Sequence, residues 1–350
     1  MAERIAILRA LQLGDLLCAV PALRAIRRAR PQARITLIGL PWARDFVARL
    51  PYLDDFMEFP GFPGLPERRP DLVGLEAFLA EARARQFDLA IQLHGSGILT
   101  NALVALLGAR RCAGFHPPGQ PCPDPRSFLA WPEELPEIRR LLALTTHLGM
   151  PSRGELLELP ILPDEAAAFA ALRARLPLGG RGYACIHAGA RLASRRWLPE
   201  RFALVGDALA AVGLAVVLTG SAEEAPLLDA IARNMRGPAI DLAGQTTLGT
   251  LAALVAAAEL VVCNDTGMSH VAAAVGTPSV VICSGADPQR WQPLDDARHR
   301  VLAHAVPCRP CAYDECPTGH ACAQGISVEA VVRESLSLLS NYRRNHHVAE

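Results

Sequence analysis

A chain of 350 residues is longer than one ordinary hydrophobic core supports and fits two domains of typical size. Its 35 basic and 35 acidic residues cancel, which argues against the cationic footprint of a nucleic-acid binder. Although 51% of residues are hydrophobic, no unbroken apolar run reaches the roughly 18 to 20 residues needed to cross a bilayer. The opening residues lack the long apolar region and small-residue cleavage site of a secretory signal, so the protein is expected in the cytosol with its ten cysteines mostly as thiols. Every basic residue is arginine, so any phosphate clamp must be built from guanidinium groups.

In chain order, residues 4–9 read as a strand, 12–15 as a glycine turn, and 15–29 as a helix. That helix carries Leu16, Leu17, Val20, Leu23 and Ile26 at helical spacing and a basic face from Arg24, Arg27, Arg28 and Arg30. A strand over 33–39, a helix over 42–50 and a strand over 87–93 follow, the last ending in His94-Gly95-Ser96-Gly97 before a helix over 98–107. Prolines crowd residues 116–136, where regular structure is not expected; the segment reads either as a flap over a bound acceptor or as a surface excursion. After a helix ending near Gly149, a second irregular stretch at 151–163 marks the domain boundary.

The alternation then resumes. Strands are expected over 182–187, 214–219, 240–242, 260–263 and 279–283, and helices over 199–212, 222–234, 248–257, 268–275 and 327–342. Such alternation implies parallel sheets with right-handed crossovers, whose loops after the strands line the binding crevices. Gly14, Asp15, His94 and Ser96 then share one rim, and the turns at 187–190, 220–224 and 265–270 share another.

The turn Asn264-Asp265-Thr266-Gly267 feeds a helix whose first N–H groups and dipole suit a phosphate. Thr266 and Ser269 add hydroxyls, Gly267 permits close approach, and His270 lies in the first turn. Asp265 would repel a phosphate, so it either caps the helix or accepts hydrogen bonds from a sugar or ribose hydroxyl; by themselves these residues read equally well as a turn and a cap. No G-x-G-x-x-G follows a predicted strand, the nearest match having Thr100 in the third glycine position, and a chain without lysine holds no Walker A sequence. Hydride transfer and ATP hydrolysis therefore lose ground.

Five blocks carry a family resemblance: Leu13-Gly14-Asp15 with Pro21-Ala22-Leu23-Arg24; Arg195-Arg196-Trp197 with Pro199 and Phe202; Gly220-Ser221 with Glu223-Glu224; Asp241-Leu242-Ala243-Gly244; and Asn264-Asp265-Thr266-Gly267 with Ser269-His270. In this order, over residues 4–332, they resemble the ADP-heptose:lipopolysaccharide heptosyltransferases, glycosyltransferase family 9. The resemblance implies an α/β GT-B architecture of two Rossmann-like, doubly wound parallel-sheet domains facing across a cleft. The acceptor domain would span 1–160 and the nucleotide-sugar domain 161–326, with the helix of 327–350 packing back on the first. It further implies an inverting transferase with an ADP-sugar donor, a lipid-linked saccharide acceptor and no required cofactor or nucleic-acid partner. Such a protein would visit the inner membrane surface through Arg24, Arg27, Arg28 and Arg30 without spanning it.

Displacing a nucleoside diphosphate from an anomeric carbon needs a base for the acceptor hydroxyl, compensation of charge on the leaving diphosphate, and exclusion of water. Asp15 is expected as the base, with Gly14, His94 and Ser96 beside the acceptor; the competing reading is a cap on the first helix. The donor is expected at Gly189, Arg195, Arg196, Ser221, Glu223, Glu224, Asp265, Thr266, Gly267, Ser269 and His270. Either arginine could contact phosphate, since the family often has lysine at one of these places, and both could also be a solvated pair. Glu223 or Glu224 suits a ribose, and Asp265 the sugar. No D-x-D pair for a bridging metal occurs in the chain.

Three alternatives stay open: the same transfer with another nucleotide sugar or a protein acceptor, an epimerase or hydrolase on the same scaffold, and a non-catalytic nucleotide-sugar binder. Cys308, Cys311, Cys316 and Cys322, with His320, supply zinc- or iron-binding ligand types, but their spacing is not that of paired zinc-ribbon motifs, and a metal-free loop is expected. Cys18, Cys112, Cys122, Cys185, Cys263 and Cys283 read mostly as small buried residues.

Overall fold

The computed structural model describes residues 2–347 and divides between Leu157 and Glu158 into two compact units. The first runs β1 (Arg4–Leu8), α1 (Leu13–Ala29), β2 (Arg34–Gly39), α2 (Ala43–Ala48), β3 (Asp55–Glu58), α3 (Leu72–Ala84), β4 (Leu89–Gln92), α4 (Thr100–Leu106), β5 (Arg111–His116), β6 (Phe128–Ala130) and α5 (Glu137–His147). The second runs α6 (Pro163–Arg173), β7 (Tyr183–His187), α7 (Pro199–Ala211), β8 (Ala215–Leu218), α8 (Ala225–Asn234), β9 (Ala239–Asp241), α9 (Leu248–Ala256), β10 (Leu260–Asn264), α10 (Gly267–Val275), β11 (Ser279–Cys283), α11 (Pro288–Trp291), β12 (His299–Ala303), α12 (Ala321–Gln324) and α13 (Val328–His347).

Each unit holds one six-stranded parallel sheet, ordered β3-β2-β1-β4-β5-β6 and β12-β11-β10-β7-β8-β9. Numbered within its unit and read from β9, the second order is the same 3-2-1-4-5-6 pattern as the first. The central strands are continuous apolar runs because helices cover both faces: Ile5 to Leu8 and Leu260 to Cys263 are buried throughout. In this topology the strand order reverses between β1 and β4, and again between β7 and β10. Loops leaving neighbouring strands there diverge to opposite faces, and the crevice between them is where such sheets bind ligands.

Several expectations are corrected. Gln12 is the N-cap of α1, so Gly14 and Asp15 lie inside the first helical turn instead of in a turn before it. The proline-rich stretch contains β6, paired in parallel with β5 from Gly114 and Phe128 onward. The basic face of α1 is dismantled by pairing: Arg24 is buried and donates to the Arg153 and Leu156 carbonyls, Arg27 pairs with Asp54, and Arg30 with Glu3, which leaves Arg28 as the exposed member. No helix among the described residues is long and apolar enough to cross a membrane.

The last helix, α13, packs on α7, β10 and β11 of its own unit, because Val331, Ser335, Leu338 and Leu339 repeat at helical spacing and are all buried. They join a core around Trp197, whose ring meets Phe202 edge-on at 5.1 Å and whose indole N–H donates to the Ala323 and Ile326 carbonyls.

Candidate functional site

In the first unit, β1 ends at Leu8 and the chain turns through Arg9, which is 1% exposed. The Arg9 Nε donates to the Asp15 carbonyl at 2.8 Å, Nη1 to the Leu93 carbonyl, and Nη2 to Glu137 Oε1 at 3.1 Å. The Ala10 N–H donates to His94 Nδ1 at 3.3 Å, which leaves the ring proton on Nε2, 3.2 Å from Glu67 Oε1. Ser96 sits in the β4–α4 turn, shaped by Gln92 Nε2 donating to the His94 carbonyl at 2.5 Å and the Gly95 carbonyl at 2.9 Å. Gly97 adopts φ +95° with the Phe115 carbonyl where a Cβ would go, so glycine is required there.

Gly14, Asp15, His94 and Ser96 therefore do share the rim over the β1–β4 reversal. Asp15 is the third residue of α1, not its cap. His94, expected beside the acceptor, has its Nδ1 lone pair taken by a backbone donor. Arg9 and Glu67 escaped the sequence reading: one looked like the end of a strand, and the other lies in an irregular loop with no motif around it.

In the second unit, the loops after β11, β10, β7 and β8 lie side by side and are stitched together. Asn264, the buried last residue of β10, donates to the Ala188 carbonyl at 2.7 Å and accepts the Trp197 N–H at 3.0 Å, fastening both ends of the loop after β7. Gly189 leaves the space that the Glu224 carboxylate fills. Glu224 in turn accepts the Ser221 N–H at 2.9 Å. Beside it, burial holds the His187 imidazole below its ordinary pKa, with Glu224 opposing, and His187 Nδ1 lies 3.1 Å from Thr219 Oγ1. Glu223 is exposed, its carboxyl held below the usual range by hydrogen bonds from its own N–H and from Ser221.

Asp265 is the most perturbed carboxylate on this rim. Burial raises its pKa to about 6, opposed by the charges of Arg195 and Arg309 and by a 3.7 Å contact from Cys283 Sγ. Arg309 is pinned by three bonds to the Cys283 and Ser284 carbonyls, at 2.7 to 3.0 Å. Arg195 Nη2 reaches the Cys311 carbonyl at 3.5 Å, while its buried Nε has no hydrogen-bond partner. Arg196 instead turns its Nε to the Ala190 carbonyl at 2.9 Å. Of the two candidate arginines, Arg195 is therefore the one beside Asp265.

The α10 N-terminus differs from expectation in its hydroxyls. Thr266, not Asp265, is the N-cap, accepting the Met268 N–H at 3.4 Å, and Ser269 is fully buried with its hydroxyl donating to the Thr266 carbonyl at 2.8 Å. Both hydroxyls serve the turn itself. His270 is also buried, 6.5 Å edge-on from the Trp291 ring, over which Arg290 lies at 4.5 Å. Arg309 and Cys283 were missed because nothing local in the sequence ties them to Asp265.

The four C-terminal cysteines do not converge as a ligand set: among the described residues no group of three or more His, Cys, Asp and Glu is arranged to hold a metal. Cys308 is exposed, Cys322 is buried, Cys316 Sγ accepts the His320 N–H at 3.2 Å, and His320 Nε2 donates to the Ser194 carbonyl at 2.7 Å.

Two six-stranded parallel sheets of 3-2-1-4-5-6 order, each flanked by helices, are the architecture of the GT-B glycosyltransferases. The family model described as glycosyltransferase family 9 (heptosyltransferase) matches residues 76–322. The chain is 26% identical over 302 residues to lipooligosaccharide heptosyltransferase 2 of Haemophilus influenzae, spanning 81% of this chain and 84% of that protein. A family 9 glycosyl transferase from Veillonella parvula superposes with a TM-score of 0.80 at 22% identity, over 97% of this chain and 98% of that one. The E. coli ADP-heptose lipopolysaccharide heptosyltransferase II does so with 0.75 at 21%, over 97% and 99%. The family match covers more than half of the chain, and the chain belongs to glycosyltransferase family 9.

Proposed function

We propose that this glycosyltransferase moves a heptose, with inversion, from ADP-heptose to a saccharide of the lipopolysaccharide core carried on lipid A. The observation that supports it most is the rim of the second unit, where Arg195, with an unpartnered buried Nε, lies by a half-buried Asp265 and the Glu224 carboxylate stands in the space left at Gly189. Arg195 and the α10 dipole take the diphosphate, Glu224 or the exposed Glu223 a ribose hydroxyl, and Asp265 a sugar hydroxyl. Relatives at about 26% identity named as heptosyltransferases of lipopolysaccharide or lipooligosaccharide support the donor and acceptor classes.

In this reading the acceptor hydroxyl oxygen attacks the anomeric carbon from the face opposite the diphosphate. The bond from that carbon to the diphosphate oxygen breaks, and the hydroxyl proton passes to the Asp15 carboxylate. Guanidinium charge and the helix N-terminus compensate the leaving diphosphate, so no divalent metal takes part.

The test is product formation from ADP-heptose with and without a heptose-deficient core acceptor, in EDTA, for the wild type and Asp15→Asn. Transfer should need the acceptor, persist in EDTA, and fall by about 10² to 10⁴-fold in the variant while ADP binding is kept. Donor consumption without acceptor would support a hydrolase or epimerase instead, and more than about a tenth of the activity in Asp15→Asn would remove that carboxylate as the base.

A further inference from the structure

We propose that Arg9 is a positioning residue for Asp15, acting with Glu137 and Arg140 as one buried chain of charges; the inference rests on the reading of Asp15 as the base. Its guanidinium spends three donors on three elements: the first turn of α1 at the Asp15 carbonyl, the end of β4 at the Leu93 carbonyl, and the first turn of α5 at Glu137. The two oxygens of Glu137 are divided between two guanidiniums, Oε1 to Arg9 at 3.1 Å and Oε2 to Arg140 Nη1 at 2.8 Å. Arg140 continues the chain, donating to the Pro132 and Glu133 carbonyls at 2.9 Å each and lying 4.3 Å over the Trp131 ring. All three charged side chains are 1 to 2% exposed.

Two observations say what this arrangement is for. Burying two guanidiniums and one carboxylate gains little stability, because apolar side chains of similar volume commonly do as well or better. What the network supplies is fixed geometry. Secondly, the N-cap of α1, Gln12, makes no side-chain capping bond, so the turn that carries Asp15 gets no restraint from the Gln12 side chain. The Arg9 Nε bond to the Asp15 carbonyl supplies that restraint from outside the helix. It also locks the turn to the end of β4, where His94 is held in turn by the Ala10 N–H. A planar fork reaches three such acceptors at once; a lysine ammonium on a flexible stem does not.

The test compares Arg9→Lys, the apolar triple variant Arg9→Met/Glu137→Leu/Arg140→Met, Asp15→Asn, and Arg9→Lys combined with Asp15→Asn. For each, kcat, both KM values, ADP affinity and melting temperature are measured. A base misplaced by about an ångström costs up to about 10²-fold in rate. Arg9→Lys and the folded triple variant should therefore lose about 10 to 10²-fold in kcat with donor KM and ADP affinity kept. Because Arg9 acts through Asp15, the combined variant should be no slower than Asp15→Asn alone.

A folded Arg9→Lys or triple variant with kcat within about twofold of wild type would overturn the proposal, as would a further loss of about tenfold in the combined variant. If Arg9→Lys does not fold, the triple variant decides, since it leaves no unpaired buried charge among the three positions. High activity in Asp15→Asn brings down the base assignment and this inference together. Loss in Asp15→Asn with full activity in Arg9→Lys brings down the positioning role only.

Discussion

Replacing Asn264 by alanine removes the clamp beneath the nucleotide-side rim. The side chain is 0% exposed, donates to the Ala188 carbonyl at 2.7 Å and accepts the Trp197 N–H at 3.0 Å. The variant leaves a buried carbonyl and a buried N–H without partners, each costing about 1 to 3 kcal/mol, so about 2 to 6 kcal/mol together. Against the ordinary domain stability of about 5 to 15 kcal/mol, that is a large part of the whole. Asn264→Asp should do no better, because it keeps the acceptor for Trp197 but turns a carboxylate oxygen on the Ala188 carbonyl. A chain of two units need not unfold in one step, so urea unfolding should be followed by fluorescence and far-ultraviolet dichroism, with the loss read from the transition that ADP shifts. A loss under about 1 kcal/mol in Asn264→Ala would refute the argument that these two bonds hold the loop after β7.

Other outcomes follow from the same structure. ADP should raise the melting temperature more than UDP or GDP does, by the equivalent of about 2.7 kcal/mol at a hundredfold excess over its dissociation constant; an equal or larger shift from UDP would exclude an adenine-nucleotide donor. Elemental analysis of protein purified without added metal should find no stoichiometric zinc or iron, and one metal per chain lost on Cys311→Ser or Cys316→Ser would reverse this reading of the C-terminal cysteines. His299 is buried with Nδ1 2.9 Å from Ser279 Oγ, and burial lowers its pKa from 6.5 to about 4. On acidification the unfolded chain takes up this proton first, so the stability this residue contributes is present above pH 6.5 and falls by about 3 kcal/mol between there and pH 4. His299→Gln should lose less stability than the wild type over that window, and parallel losses in the two proteins would show that His299 is not the cause.

The alternation of strand and helix was legible because central strands such as residues 260–263 are unbroken apolar runs flanked by turn residues. Strand β3, Asp55-Phe56-Met57-Glu58, was not, because an edge strand four residues long with charges at both ends has neither run nor clear period. Strand β6 hid among prolines, and β5 behind an arginine and a glycine. Local motif reading picked out Asp15, Arg195, Glu224 and Asp265 as candidates, whose neighbours in sequence are also their neighbours at the strand ends. It could not find Arg309, which reaches the Cys283 carbonyl through tertiary packing alone, or Arg9, whose partners are brought to it by β4 and α5. The basic stripe on α1 misled for the same reason: helical spacing places Arg24 and Arg27 on one face but does not reveal the carbonyls and carboxylate that consume them.

The repeated 3-2-1-4-5-6 order has a bearing on how such a chain diverges. Each sheet is assembled from an uninterrupted length of polypeptide and lends no strand to the other, so the ladder beneath one rim is indifferent to insertions or replacements in the loops of its counterpart. A lineage can therefore trade the side chains around Asp15 and His94 for others while the strand ladder that presents Arg195 and Asp265 is inherited untouched.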